Sequence, residues 1–220
     1  MVDKQGRVDY SAAKAEEASL NGYLAELAAV TPDGYRSWTR DQQLAALLNL
    51  YNASTVGLIL RNEPVTSIKD IGTLLRGPWE QPSVLWFGRR TTLSALHHQM
   101  IVPLFPDDRI AFALCRAAVS SPPLRREAYV ADQLDAQLED QRRRFLTDPS
   151  LNRAAPDLST WQLSALFQWE AASILRATAD PAAYIAKALG WTLPDPPPRI
   201  EYRHFNWALN RQPDLRIDTP

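Results

Sequence analysis

The stretch from Thr39 to Asn62, TRDQQLAALLNLYNASTVGLILRN, constrains the fold more than any other part of the chain. It reads as one long helix. Thr39 can cap it, with Gln42 three residues on to complete a capping box. The stop is Asn62-Glu63-Pro64, because a residue before proline is pushed out of the helical region. Leu44, Leu47, Leu48, Leu50, Leu58, Ile59 and Leu60 leave almost no polar face, so the helix must be buried. Yet Asn49 and Asn52 sit in its middle, three residues apart and therefore on one face. Burying an amide without partners is costly, so other parts of the chain must hydrogen-bond these two side chains.

The 220 residues suffice for one sizeable core, and the 45% apolar and 22% charged content is that of an ordinary globular chain. A net charge of −1 gives no electrostatic case for nucleic acid. No unbroken apolar run of membrane-spanning length is present, and no cofactor motif is found. Cys115 is the only cysteine, which excludes an intrachain disulfide and a cysteine-based zinc site. The first ten residues contain no apolar segment of the secretory kind. The expected location is therefore cytoplasmic, or periplasmic or secreted if a leader has been removed.

Along the chain, residues 11–30 read as a helix with Ser11 as its cap and Asn21-Gly22 as a break or kink. Residues 31–34 read as a turn. Ser67 caps a helix running to Arg76. A hairpin is expected around Phe87-Gly88, then a helix opened by Thr92 and stopped by Pro103. Ile110, Phe112 and Leu114 alternate, predicting a strand over 109–116. A helix is expected over 129–147, another over 161–177, and a third from Asp180-Pro181 to Gly190. The tail RIEYRHFNWALN should begin as a strand and return to the body through Phe205 and Trp207. The expected fold is α+β: a single helix-rich domain over 1–220 with a small antiparallel sheet, and with 1–8 and 211–220 as flexible ends.

Several side chains are candidates for chemistry. Asn49 and Asn52 would either hold neighbouring loops or orient an imidazole. Adjacent helical residues point about 100° apart, so His97 and His98 should not both face one site, and only one can serve as a base. Ser120-Ser121-Pro122-Pro123 could expose a hydroxyl beside free backbone N–H groups, although no G-x-S-x-G elbow is present. Cys115 reads as an inert packing residue. A metal site built from His97, His98, His204 and nearby carboxylates is the weakest of these readings.

The same residues resemble the bacterial and plant family catalogued as domain of unknown function 547. The resemblance begins at Gly6-Arg7-Val8-Asp9-Tyr10 and continues through Asn49-Leu50-Tyr51-Asn52-Ala53 and the run from Pro64 to Gly72. It then takes in Pro78-Trp79, Leu93 to His98, Asp108-Arg109-Ile110, Pro122-Pro123-Leu124-Arg125 and Phe205 to Asn210. It implies a hydrolase site like that of the papain and transglutaminase group, with His98 as base and a cysteine before Pro122 as nucleophile. Here Ser121 stands in that cysteine's place, His97 where a glutamate is usual, Ala111 where a histidine is common, and Asn206 for a closing aspartate. Ser121 is then an engineered change, a natural serine nucleophile, or a mark of a homologue that only binds. The changes at 97, 111 and 206 favour a natural divergent member.

The expectation is thus a pocket formed by residues 49, 52, 98, 109 and 121. Ser121, His98 and Asn49 would carry out acyl transfer on an amide, ester or thioester. Asn52, Tyr51, Arg109, Arg125 and His97 would bind a peptide-like or other small acyl substrate, without metal or cofactor. Arg109 would hold a carboxylate, or form a structural ion pair. The rival expectation is a catalytically silent binding or scaffold domain that uses the old cleft or the aromatic tail.

Overall fold

The computed structural model describes residues 1–213. Its centre is α4, Arg40–Asn62, and both halves of the expected capping box form between Thr39 and Gln42. By length and composition α4 could cross a membrane, but 78% of its apolar window is buried inside the protein, as befits a core helix.

The elements before α4 differ from expectation. The helix expected over 11–30 is two helices, α1 (Tyr10–Ala15) and α2 (Glu17–Ala28). Asp9, not Ser11, is the cap, its carboxylate accepting from the Ala12 N–H at 2.9 Å. The break falls at Glu16, and Asn21-Gly22 lies within α2. The expected turn at 31–34 opens a short helix, α3 (Pro32–Ser37), because Thr31 caps it and proline suits its first position.

After α4, Ser67 caps only the 3-10 turn Ile68–Asp70. Gly72 then takes φ +120°, and Thr73 and Arg76 close a tight turn that ends regular structure. The hairpin forms as expected, β1 (Val84–Trp86) against β2 (Arg89–Thr91), turning at Phe87 and Gly88, both with positive φ. Thr92 caps α5 (Leu93–Ala95), which widens into a π-helix over Leu96–Ile101.

The strand expected over 109–116 is instead a helical turn, α6 (Ile110–Ala113), followed by extended chain. The turn is buried on both sides, so it shows no polar face. Ile110 and Ala113 face one buried cluster, around α4, while Ala111 and Phe112 face a second, around Phe145, Trp161 and Phe167. The second cluster is built by α7 (Leu134–Thr147), β3 (Thr160–Ser164), α8 (Leu166–Trp169), α9 (Ala171–Ile174), α10 (Pro181–Leu189) and β4 (Arg199–Arg203). The helix expected over 161–177 is therefore a strand and two short helices. Strand β3 pairs in parallel with β4, from Thr160 opposite Arg199 to Ser164 opposite Arg203. The fold is α+β and helix-rich, with one antiparallel and one parallel strand pair among the described residues.

After β4 the tail threads back across the molecule. Its backbone bonds Val119, Ala117 and Thr66 through Ala208, Asn210 and Leu209, and Trp207 accepts from the Ser67 hydroxyl at 2.8 Å. Val8 exchanges backbone bonds with Asn210 and Gln212, so the stretches 1–8 and 211–213, expected as loose ends, hold each other. The remainder of that expected C-terminal end, 214–220, lies outside the described residues.

Candidate functional site

The two asparagines of α4 find their partners in backbone. Asn52 donates to Ala113 O and accepts from Cys115 N–H, both at 2.9 Å. Asn49 does the same for Tyr129 alone, with both bonds at 2.8 Å. Each amide thus clamps a segment that has no strand to pair with. Both line a shallow groove with Tyr129 and Arg125, away from the histidines. Arg125 is tied to Glu127, Asp140 and Gln137 O. Arg109 forks onto Asp107 and also reaches Asp135 at 2.8 Å, which is the structural ion pair.

Ser121 lies elsewhere. It is buried and lines a cavity with Gly6, Pro122, Pro123 and Asn210. Its Oγ accepts from the Arg116 N–H at 2.6 Å. The surrounding amides are spent as well: Val119 N–H on Ala208 O, Ser120 N–H on Asn206 O, Ser121 N–H on Ala118 O and Leu124 N–H on Gly6 O. Pro122 and Pro123 have no N–H to offer. Beside it, Cys115 is buried and its thiol is pushed up by that burial, against weaker opposing hydrogen bonds from the Ala117 backbone, Ser121 and Asn210.

The histidines line a different cavity, a cleft of about 300 Å³ that also takes in Tyr51, Trp79, Arg116, Trp169, Glu170 and Trp207. The expected single pocket is therefore at least three separate places. Tyr51, His97 and His98 come together; Asn49, Asn52 and Arg125 form a second group; Ser121 is apart from both, and Arg109 is held by its own carboxylates. Position 116, not 121, faces the histidines.

The roles of the two histidines are also reversed. His97 is buried and His98 is exposed. Their rings nevertheless pack at 4.1 Å between centroids, because the π-helix, with its i to i+5 bonding, turns less per residue than the α-helix assumed from sequence. On the cleft floor Arg116 donates to Glu170 at 2.5 Å, and both side chains are buried. His97 Nε2 is 3.6 Å from the other Glu170 oxygen, too far to bond, and has no hydrogen-bond partner among the described residues. The His97 pKa is pushed down to about 3, by burial first and then by the charges of Arg116 and His98. The imidazole is therefore neutral near pH 7. Burial also pushes Tyr51 up to about 12.

The aromatic wall is continuous. Trp169 and Trp207 are stacked, 5.5 Å apart and 16° from parallel, and Phe205 backs both at 4.8 and 4.3 Å. Trp79 meets Trp207 edge-on at 5.5 Å, and Lys69 Nζ lies 4.1 Å from the centre of the Trp207 ring. Trp169 is half exposed. His204 lines another cavity, with Ser120 and Arg203. Among the described residues no group of three or more His, Cys, Asp and Glu is placed to hold a metal ion.

Sequence reasoning missed Arg116, Glu170 and Trp169 and left Trp79 as part of a motif. The Trp169-Glu170 pair carried the available signal: a large indole next to an acid in an otherwise apolar stretch. A family model described as Protein of unknown function, DUF547, matches residues 35–146, just over half of the chain. The match includes Tyr51, Trp79, the histidines, Arg116 and Ser121, and leaves Trp169, Glu170 and Trp207 outside. Comparison with curated proteins and with solved structures finds no match. The order and spacing of the motifs, the helix that carries them and the extent of the match agree, and the chain belongs to this family.

Proposed function

We propose that this chain is a ligand-binding domain whose site is the tryptophan-lined cleft, with no acyl transfer at Ser121. One observation carries the reading. The Ser121 hydroxyl accepts a bond from Arg116 N–H, and every N–H of residues 119–121 and of Leu124 is already bonded. A serine nucleophile needs a base within reach and unspent donors for the oxyanion. His98 lines the other cavity, and His97, although neutral, faces Glu170.

The cleft, by contrast, has the features of a binding site: an apolar aromatic wall with a few convergent polar groups. The test is a serine-reactive fluorophosphonate on the native chain, together with a thiol reagent on Ser121→Cys, each read by mass spectrometry. The expected result is no adduct on the native chain, and thiol labelling at position 121 as slow as at buried Cys115. A fluorophosphonate adduct on Ser121 that disappears in His98→Ala, or fast labelling of the Ser121→Cys thiol, overturns the reading.

A further inference from the structure

The cleft limits the charge of what it can hold. An anionic ligand would meet Glu80 and the Glu170 carboxylate. A cationic ligand, although drawn by those carboxylates, would meet Arg116, and a floor where even a proton on His97 is disfavoured by burial and by Arg116 also disfavours an ammonium group. A neutral polar ligand avoids both penalties.

The polar groups narrow the choice. His97 Nε2 is buried without a partner, its side chain only 5% exposed, and 3.6 Å away lies a Glu170 oxygen that can only accept. A hydroxyl suits this pair, because its single O–H donates to the carboxylate while its oxygen accepts from the neutral imidazole in the tautomer that carries the proton on Nε2. The other requirement is a flat apolar face. Trp169 offers one side of its indole to Trp207 and is half exposed. Lys69 lies over the Trp207 ring, so that ring is less free for a ligand.

A molecule with a flat face of C–H bonds, hydroxyls around its edge and no charge is a pyranose. We propose that the cleft binds a neutral pyranose sugar, its ring lying on Trp169 and its hydroxyls meeting Glu170 and His97. This deepens the binding-domain reading and rests on it.

The test is saturation-transfer NMR on the full chain. The probes are methyl β-glucoside, methyl β-galactoside, methyl α-mannoside, N-acetylglucosamine and neutral β-1,4-linked tetramers, with tetramethylammonium chloride and sodium glucuronate as charged comparisons. At least one neutral sugar should receive saturation, strongest on the C–H protons of one ring face. Trp169→Ala should weaken that binding about tenfold, the worth of one aromatic contact, while Trp169→Phe should stay within about threefold. Unchanged thermal unfolding in Trp169→Phe guards against a folding artefact. The proposal is overturned if no neutral sugar is saturated, if a charged probe outcompetes all of them, or if Trp169→Ala binds as the native chain does. Those results leave the binding-domain reading to the Ser121 labelling experiment, and an adduct on Ser121 sinks that reading whatever the sugars do.

Discussion

The Ser121 cavity and the tryptophan cleft lie against the same stretch of chain, residues 114–121, and Arg116 belongs to both. Its backbone N–H closes the Ser121 side and its guanidinium holds Glu170 on the other. On the Ser121 side the hydroxyl and the neighbouring amides have found internal partners. On the cleft side His97 Nε2 has none, and a half-exposed indole faces outward. Spent amides leave the Ser121 hydroxyl without donors for an oxyanion, whereas an unsatisfied polar atom gains by taking a ligand. The position that family resemblance nominated is thus the quiet one, and the neighbouring cleft keeps the open valences.

Breaking the cleft floor should cost most. Glu170→Ala leaves the Arg116 guanidinium buried without its carboxylate, and stability in urea should fall by about 4 kcal/mol. Replacing both together, Arg116→Met with Glu170→Leu, should recover most of that loss, because a buried pair is weak as a net stabiliser and costly only when halved. Failure to recover would mean that Arg116 matters chiefly through other contacts.

The asparagine clamps come next. Asn52→Ala removes two buried bonds to Ala113 and Cys115, and urea unfolding should show a loss of about 3 kcal/mol. Asn49→Ala, at a partly buried site, should lose about half as much.

Acid sharpens the contrast further. His97 titrates near 6.5 when unfolded and is pushed down to about 3 in the fold, so its contribution is full above 6.5 and is lost as pH falls from there toward 3. Between pH 7 and pH 5 this one group should cost about 2 kcal/mol of stability. The pH slope of unfolding should flatten in His97→Gln and persist in Ser121→Ala. The smallest effect is expected on the saturated side: Ser121→Ala strands one buried N–H and should cost about 1 kcal/mol in the same urea titration.

How far the sequence reached follows from where each signal lies. Helix α4 was legible because its caps and its apolar residues are local to it. The unmet needs of Asn49 and Asn52 were also visible, but their partners are 80 and 61 residues away and are backbone atoms, which leave no mark on residue choice. Asn152 repeats the device, joining Phe145 O to Ser164 N–H. The α6 turn escapes a sequence reading because it is buried on two sides, Ile110 and Ala113 in one core and Ala111 and Phe112 in the other, which leaves no polar face to mark a helical period. Strand β3 was hidden for a related reason. Its partner β4 lies beyond three helices, so Trp161 and Leu163 carried no local sign of pairing. The choice between His97 and His98 turned on π-helical winding, which no pattern of spacing announces. The cleft itself was out of reach, because Trp79, Arg116, Trp169 and Trp207 meet only when the tail returns across the body.

That returning tail has an optical consequence. Trp169 and Trp207 are held 5.5 Å apart and nearly parallel, close enough for their excited states to couple. Coupled chromophores in a fixed chiral arrangement contribute signed bands to circular dichroism. Trp79 adds its own coupling to Trp207 and Trp161 couples separately to Trp191, so the part that is lost when the tail lifts away is the part that depends on Trp207. The protein therefore carries its own spectroscopic gauge of whether the C-terminal strap is seated, with no dye and no label attached.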